Sequence, residues 1–263
     1  MLPSEAEYFG ALQDDLPGLQ VEATVGLPQW VHAESIGDDL VEYFGHNKGP
    51  MGLFVPHTLT ATQVIDKYRT PTGTFSVLHL DDHSAVLKKK THRKRTGVLR
   101  VSREDRVAIQ PGDGAVDVAV DRYGLDPQDI TYLGRLVRDK SRVAIINSAT
   151  GRVYTATLAK VNLTVLAAVG DGPAHGTPAL KELAIEYKGT VPGAARGHKA
   201  PQAPAGDLIK ARKEIEHDVT AIRSEIHKHL RKAVAAPGAQ SKRRWMEDAG
   251  GHQPQPGSGL TFP

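Results

Sequence analysis

The chain of 263 residues contains no cysteine. That excludes disulfides, thiolate metal sites and cysteine nucleophiles. Aromatic residues make up only 5% of it, and the few that fall among its basic stretches are a poor basis for stacking single-stranded bases. No apolar run reaches the length of a membrane span. The opening "MLPSEAEYFGALQDD" is acidic and lacks the basic start and apolar core of a signal peptide, so a soluble, cytoplasmic protein with no membrane partner is expected. No GK[ST] phosphate loop occurs, and the glycines of "GDGPAHG" lack the strand-to-helix setting of a dinucleotide turn. "HGT" at 175–177 has no second copy to complete a phosphoesterase pair. His227 and His229 lie two apart on an expected helix and point to different sides.

What is present is an apolar fraction of 40%, enough for a real core, and a formal charge of +3 with a pI near 9.0. The distribution of charge says more than its mean. Nine of the residues from Val86 to Arg106 are Lys or Arg (Lys88, Lys89, Lys90, Arg93, Lys94, Arg95, Arg100, Arg103 and Arg106), against Glu104 and Asp105. Such an excess attracts polyanions, whether phosphate chains or nucleic acid.

Short runs rich in Val, Thr, Ile and Tyr, broken by Gly, Pro, Asp and Asn, predict strands near 19–27, 40–44, 63–69, 74–80, 84–91, 97–103, 131–146, 152–166 and 180–189. Their regularity predicts a mainly β fold: an antiparallel closed or half-closed barrel over 19–190. Residues 1–18 are expected to form an N-terminal helical segment, and "PGDGAVDVAVDRYGLDPQDI" is expected to be a hinge holding a short helix or strand. A Pro/Gly/Ala linker over 191–206 leads to an amphipathic helix at 207–236, with Asp207 as its N-cap. On that helix Ile215, Val219, Ile222, Ile226 and Leu230 recur at spacings of three and four, a stripe expected to pack on the barrel. The polar, Pro/Gly-rich tail 237–263 is expected to be disordered.

Period-two alternation then sorts the charged residues by face. In "LKELAIEYKG", Leu183, Ile185 and Tyr187 point one way, and Glu182, Glu186 and Lys188 the other. Lys88 and Lys90 share a face opposed by Leu87, in a hairpin that turns around "RKRTG". Arg100 sits between Leu99 and Val101. Arg138, Lys140 and Arg142 share a face, as do Lys67 and Arg69, and Lys160 within "ATLAKVNLTVL" belongs in a polar interior or at a strand end. A barrel could aim several of these at one shared polyanion. Glu182 and Glu186 lie about 13 Å apart along an extended strand, and Glu22 in "LQVEATVG" offers a further carboxylate. Oxygen donors beside phosphate suit Mg²⁺ or Mn²⁺ better than zinc.

These segments resemble the CYTH and triphosphate-tunnel proteins and the related polyphosphate-polymerase domains. "DKYRTPTGTFSVLH" is similar to the family's tyrosine-bearing strand and turn, and "AVLKKKTHR" with "GVLRVSRE" to its LRxR hairpin. "GRLVRDKSRVAI" and "ELAIEYKG" are similar to its late arginine and carboxylate strands. The sequence departs from the pattern at the opening ExExK strand, where only Glu22 matches, at Arg69, which replaces the Asp of the tyrosine turn, and at Leu87–Lys90, where lysines replace arginines.

The resemblance implies a metal-dependent phosphohydrolase acting on a triphosphate-containing or polyphosphate substrate, as a monomer or homodimer. Lys67, Lys88, Lys90, Arg100, Arg138, Lys140 and Lys188 would bind phosphate. Glu22, Glu182 and Glu186 would hold Mg²⁺ or Mn²⁺, with Glu182 and Glu186 as catalytic carboxylates orienting a water. The alternatives on the same barrel are a non-catalytic binder of phosphate ligands or nucleic acid, and a polyphosphate polymerase.

Overall fold

Long strands with one apolar and one polar face must bury the apolar face somewhere, and here three helices receive it from outside. The computed structural model describes residues 8–14, 16, 18–27, 31–46, 49–80, 84–97, 99–164, 179–192 and 205–230. In chain order the elements are β1 (Leu19–Gly26), α1 (Ala33–His46), β2 (Met51–Leu53), β3 (Leu59–Thr70), β4 (Gly73–His79), β5 (Ala85–Thr96), β6 (Leu99–Ile109), α2 (Ala115–Tyr123), β7 (Thr131–Asn147), β8 (Arg152–Thr164), β9 (Leu180–Thr190) and α3 (Ala205–His229).

The strands hydrogen-bond in the order β2-β7-β3-β4-β5-β6-β1-β9-β8, and a β7–β8 pairing closes eight of them into a ring. Every pairing is antiparallel. The 17-residue β7 is long enough to pair with β3 through Arg142 and then with β2 from Ile145, so β2 stands outside the ring. Of the closed or half-closed antiparallel barrel expected, the closed form is observed.

The outward faces of β1 and β9 carry Val21, Ala23, Val25, Leu183, Ile185 and Tyr187, all buried. On them lies the predicted stripe of α3, with Ile215, Val219, Ile222 and Ile226 at 0% exposure. At about 1.5–3 kcal/mol per fully buried aliphatic side chain, these four contribute roughly 6–12 kcal/mol as an upper bound. α1 adds Ile36, Leu40 and Phe44 to the same core, against Val143, Ile145, Ala156 and Leu158. α2 covers the opposite wall, packing Ala119 against Phe75, Val77, Leu87 and Ile109.

Three expectations are corrected. Residues 40–44 lie within α1: the run Leu40–Phe44 has strand-like composition, but Ile36, Leu40 and Phe44 recur every fourth residue and bury one helical face. The helix expected from 207 begins at Ala205, so Asp207 is inside it and is not its N-cap. Leu59–Thr62 and Glu104–Ile109 extend the strands expected at 63–69 and 97–103, and β2 falls outside every expected strand. The hinge segment holds α2, which ends on Gly124 in the left-handed conformation with φ 60°. Most of the linker and all of the tail 237–263 lie outside the described residues.

Of the N-terminal segment, Tyr8 and Phe9 pack with Phe54 beside Val55, Leu59 and Ala144. Gln13 exchanges two backbone hydrogen bonds with Thr190, of 2.9 and 2.8 Å. The neighbouring Gly189 has φ 138°, and a Cβ there would stand 2.7 Å from the Gln13 carbonyl oxygen.

Candidate phosphate-binding cavity

The larger apolar faces are turned outward to the helices, and the charged faces turn inward together with a smaller apolar group of Ile65, Leu133, Leu136, Val161 and Leu180. They line a cavity of about 540 Å³ inside the ring. All ten residues proposed from sequence, Glu22, Lys67, Lys88, Lys90, Arg100, Arg138, Lys140, Glu182, Glu186 and Lys188, stand on its wall. The described wall carries eleven lysines and arginines against four glutamates. Parity explains the sorting along single strands. Lys88 and Lys90 face inward, whereas Lys89 between them faces outward and sits 4.3 Å from the ring centroid of Tyr123 on α2. Arg69 and Lys160 are exposed and do not line the cavity.

The wall also holds residues that were not picked out as a site: Gln20, Lys94, Arg95, Ser102, Glu104, Arg106 and Arg142. For Ser102, Glu104 and Arg106 the signal was available, since they continue the face of Arg100 along β6. For Lys94 and Arg95 it was not, because a register shift between Thr91 and Lys94 interrupts the alternation of β5.

Each carboxylate of the cavity is held by a cation. Lys90 Nζ donates to both oxygens of Glu22, at 3.3 and 3.2 Å. Lys188 Nζ donates to Glu186 at 2.6 Å, and the Gln20 amide donates to the same carboxylate. Arg138 donates to Glu182 at 2.9 Å, and Arg106 to Glu104 at 2.7 Å. Burial alone would raise the Glu186 carboxyl, but Lys188, Gln20 and Lys90 together hold it well below the usual carboxylate range. Burial and the facing Arg106 guanidinium hold the Lys88 ammonium below the ordinary lysine value.

The wall is rich in cations and incompletely satisfied. Gln20 Oε1, Ser102 Oγ and Arg138 Nε are buried with no hydrogen-bond partner among the described residues. Atoms of this kind are where water or a ligand completes the set.

The oxygen donors can be tested against the Mg²⁺ or Mn²⁺ that the resemblance implies. Such ions commonly take one or two carboxylates and fill the remaining positions with phosphate and water. Glu22 and Glu186 stand directly opposite each other on β1 and β9, and the orphaned Gln20 oxygen belongs to the same face. Glu182 pairs with Gly26 in that register, about 13 Å further along the strand. Among the described residues no three His, Asp or Glu side chains form a ready metal cluster. The donors fit an ion shared with phosphate and do not form an all-protein cage.

No protein-family model and no curated protein matches this chain in sequence. Solved structures similar to it include an adenylyl cyclase-like protein from Hippeastrum, described for a dominant triphosphatase activity, at 14% identity and TM-score 0.45, with 88% of this chain and 96% of that one covered. The Schizosaccharomyces pombe Mediator head module matches at 8% identity and TM-score 0.44, over 78% and 95% of the two chains. The RNA triphosphatase of the same yeast matches at 13% identity and TM-score 0.36, over 84% and 87%. Proteins of the CYTH, triphosphate-tunnel type are thus among the structural neighbours. At these scores the likeness carries no argument about function, and the barrel stands on its own strand pairing. No described helix is long and apolar enough to cross a membrane.

Proposed function

We propose that the cavity binds a triphosphate or polyphosphate and that the protein is a metal-dependent phosphohydrolase. The observation that carries this reading is the convergence of eleven lysines and arginines, against four glutamates, on the wall of one cavity, an excess that an anion would compensate. Lys88, Lys90, Arg138, Lys140 and Lys188 hold the phosphates, with Lys67 and Arg100 on the flanking strands. Glu22 and Glu186 hold Mg²⁺ or Mn²⁺. The bound ion would supply charge neutralisation and an oriented water for in-line attack. Glu182 acts from its own position on β9, where it fixes the Arg138 guanidinium. Catalysis then rests on positioning and electrostatics, without a covalent nucleophile.

The test is phosphate release from tripolyphosphate and from ATP with Mg²⁺ or Mn²⁺, with and without chelator, together with calorimetric binding. Glu186→Gln is expected to lower metal-dependent turnover by about a hundred-fold or more while the fold is retained. Absence of binding by the wild type would sink the reading.

A second reading, a non-catalytic binder, is favoured by one observation: all four cavity carboxylates are already engaged by cations. It predicts binding of the same ligands without turnover, and no loss of affinity on chelation.

A further inference from the structure

The closed ring has two mouths, and the cavity wall ends differently at each. At the mouth beside the β3–β4 and β5–β6 turns the wall runs out to Lys94 and Arg95, both exposed. At the opposite mouth the inner face of β7 continues past Arg138, Lys140 and Arg142 to Ala144. There Leu59 of β3 stands directly across from Arg142. Ala144 and Leu59 are buried, and their cover is apolar. Phe54 and Val55 follow β2 in the chain, while Tyr8 and Phe9 come from the N-terminal segment. Further along that segment Gln13 is bonded to Thr190 at the end of β9, and a Cβ on Gly189 would stand 2.8 Å from the Leu12 Cβ. In the ring β8 separates β9 from β7. Residues 8–14 are thus fixed at β9 on one side and at β3 and β7 on the other, and they cross the mouth between.

The attachment is slight. The Gln13–Thr190 contact is an isolated bridge and not part of a ladder. Tyr8 and Phe9 stay half-buried, with the Phe9 ring 6.4 Å from that of Phe54, and Gly10, Ala11, Gln13 and Asp14 are exposed. The cover also strands a polar atom. His57 Nε2 is buried with no hydrogen-bond partner among the described residues, and its ring lies 6.0 Å from that of Tyr8. Burying an unpaired polar atom is unfavourable, so hydration of His57 favours release of the cover. Behind the segment Leu16 is held in the main core at 4% exposure. That gives the segment a fixed anchor at one end and weak contacts before it.

We propose that residues 8–14 form a strap that closes this mouth and lifts from the Leu16 anchor to open it. With the strap down, solute reaches the cavity from the Lys94–Arg95 end. With it lifted, a second route runs past Ala144 to Arg142 and Lys140. The inference concerns access and does not depend on which ligand the cavity takes. A unit held by few contacts opens locally far more often than the whole fold unfolds, and that difference makes the strap measurable.

The experiment uses the full chain, whose lack of cysteine lets single thiols be placed at will. Ala144→Cys puts a thiol beneath the strap, and Ala156→Cys puts one in the core shared with α1 and α3. Both positions are at 0% exposure. Labelling by iodoacetamide is followed for each, with every rate divided by that of the same chain unfolded in urea. The thiol at 144 is expected to react at least about ten-fold faster than that at 156, because it waits only for the strap. Phe9→Ser and Tyr8→Ala, made singly, each loosen the strap without touching the cavity wall. Each should speed labelling at 144 by about ten-fold again and leave the rate at 156 unchanged. Leu59→Cys provides a second thiol beneath the strap, with the same expectations, should Ala144→Cys fail to fold. Equal labelling at the covered and core positions in the full chain overturns the inference. So does a rate at 144 that neither strap variant changes, or an acceleration that both positions share.

Discussion

Two polar clusters lie on opposite sides of the same barrel wall, and they are built differently. Outside, beneath α3, the Tyr154 hydroxyl donates to Asp218 at 2.6 Å, and Asn147 donates to the same carboxylate oxygen at 3.2 Å. Beside them Arg152 donates to Glu214 at 2.7 Å. The outer wall at β3 and β7 repeats the pattern. There the buried Asp66 accepts two hydrogen bonds from Arg135 and one from Tyr132, each 2.9 Å, and stands 2.6 Å from His79 Nε2. These groups find their partners within the chain. Inside, Gln20 Oε1, Ser102 Oγ and Arg138 Nε have no partner among the described residues, and cations face cations. A satisfied polar cluster fixes how a helix or strand docks. An unsatisfied one of a single dominant sign is shaped for something the chain does not supply.

The comparison can be broken first at the apolar contact that positions α3. Ile222→Asp puts a charge into a fully buried site and should cost about 4 kcal/mol or more, read as a collapse of the urea midpoint. Asp218→Ala comes next. It leaves the Tyr154 hydroxyl and the Asn147 amide without their acceptor, and should cost about 1–3 kcal/mol with phosphate binding unchanged. Lys88→Met should do the reverse. It removes a desolvated charge that faces Arg106, so the urea midpoint stays or rises, while tripolyphosphate binding weakens about ten-fold.

The smallest effect sharpens the same contrast through pH. The folded-state pKa of Lys88 lies below its unfolded value, so unfolding takes up a proton in the window between the two. The penalty from Lys88 is therefore complete below the folded value and fades as pH rises to the ordinary lysine range. A bound polyanion raises the same pKa, so binding in that window also takes up a proton, and affinity falls with rising pH. Calorimetry in buffers of different ionisation enthalpy should detect this uptake in wild type and lose it in Lys88→Met. Equal uptake by both would assign the proton elsewhere.

Much of this site was legible because its strands write both faces in the sequence. In β9 the Glu and Lys positions alternate with Leu, Ile and Tyr, and in β7 Arg138, Lys140 and Arg142 fall on one parity, so one face sorted correctly gave the other. What was not legible depends on register between strands distant in sequence. Nothing local distinguishes Glu186, which faces Glu22, from Glu182, which faces Gly26. The shift between Thr91 and Lys94 sets Arg95 against Arg100, and no single-strand pattern reveals it. Residues 40–44 failed for a related reason: a five-residue window of Leu, Val, Glu, Tyr and Phe suits a strand, and only the longer interval from Ile36 to Phe44 carries the helical period.

The position of β1 in the ring has a kinetic consequence. β1 is hydrogen-bonded on one edge to β6 and on the other to β9, the last strand of the barrel. Its contacts with β9 span most of the barrel's sequence, as in the pairing of Glu22 with Glu186. Loop closure over such a separation must be completed before the seam yields any stabilisation, and folds dominated by distant pairings form slowly. During synthesis the first strand of the barrel therefore keeps an unpaired edge until residue 190 has been made, and the seam is covered only once α3 docks across β1 and β9. A chain arrested before β9 would expose that edge beside a charged interior wall. Such an intermediate is prone to edge-to-edge association.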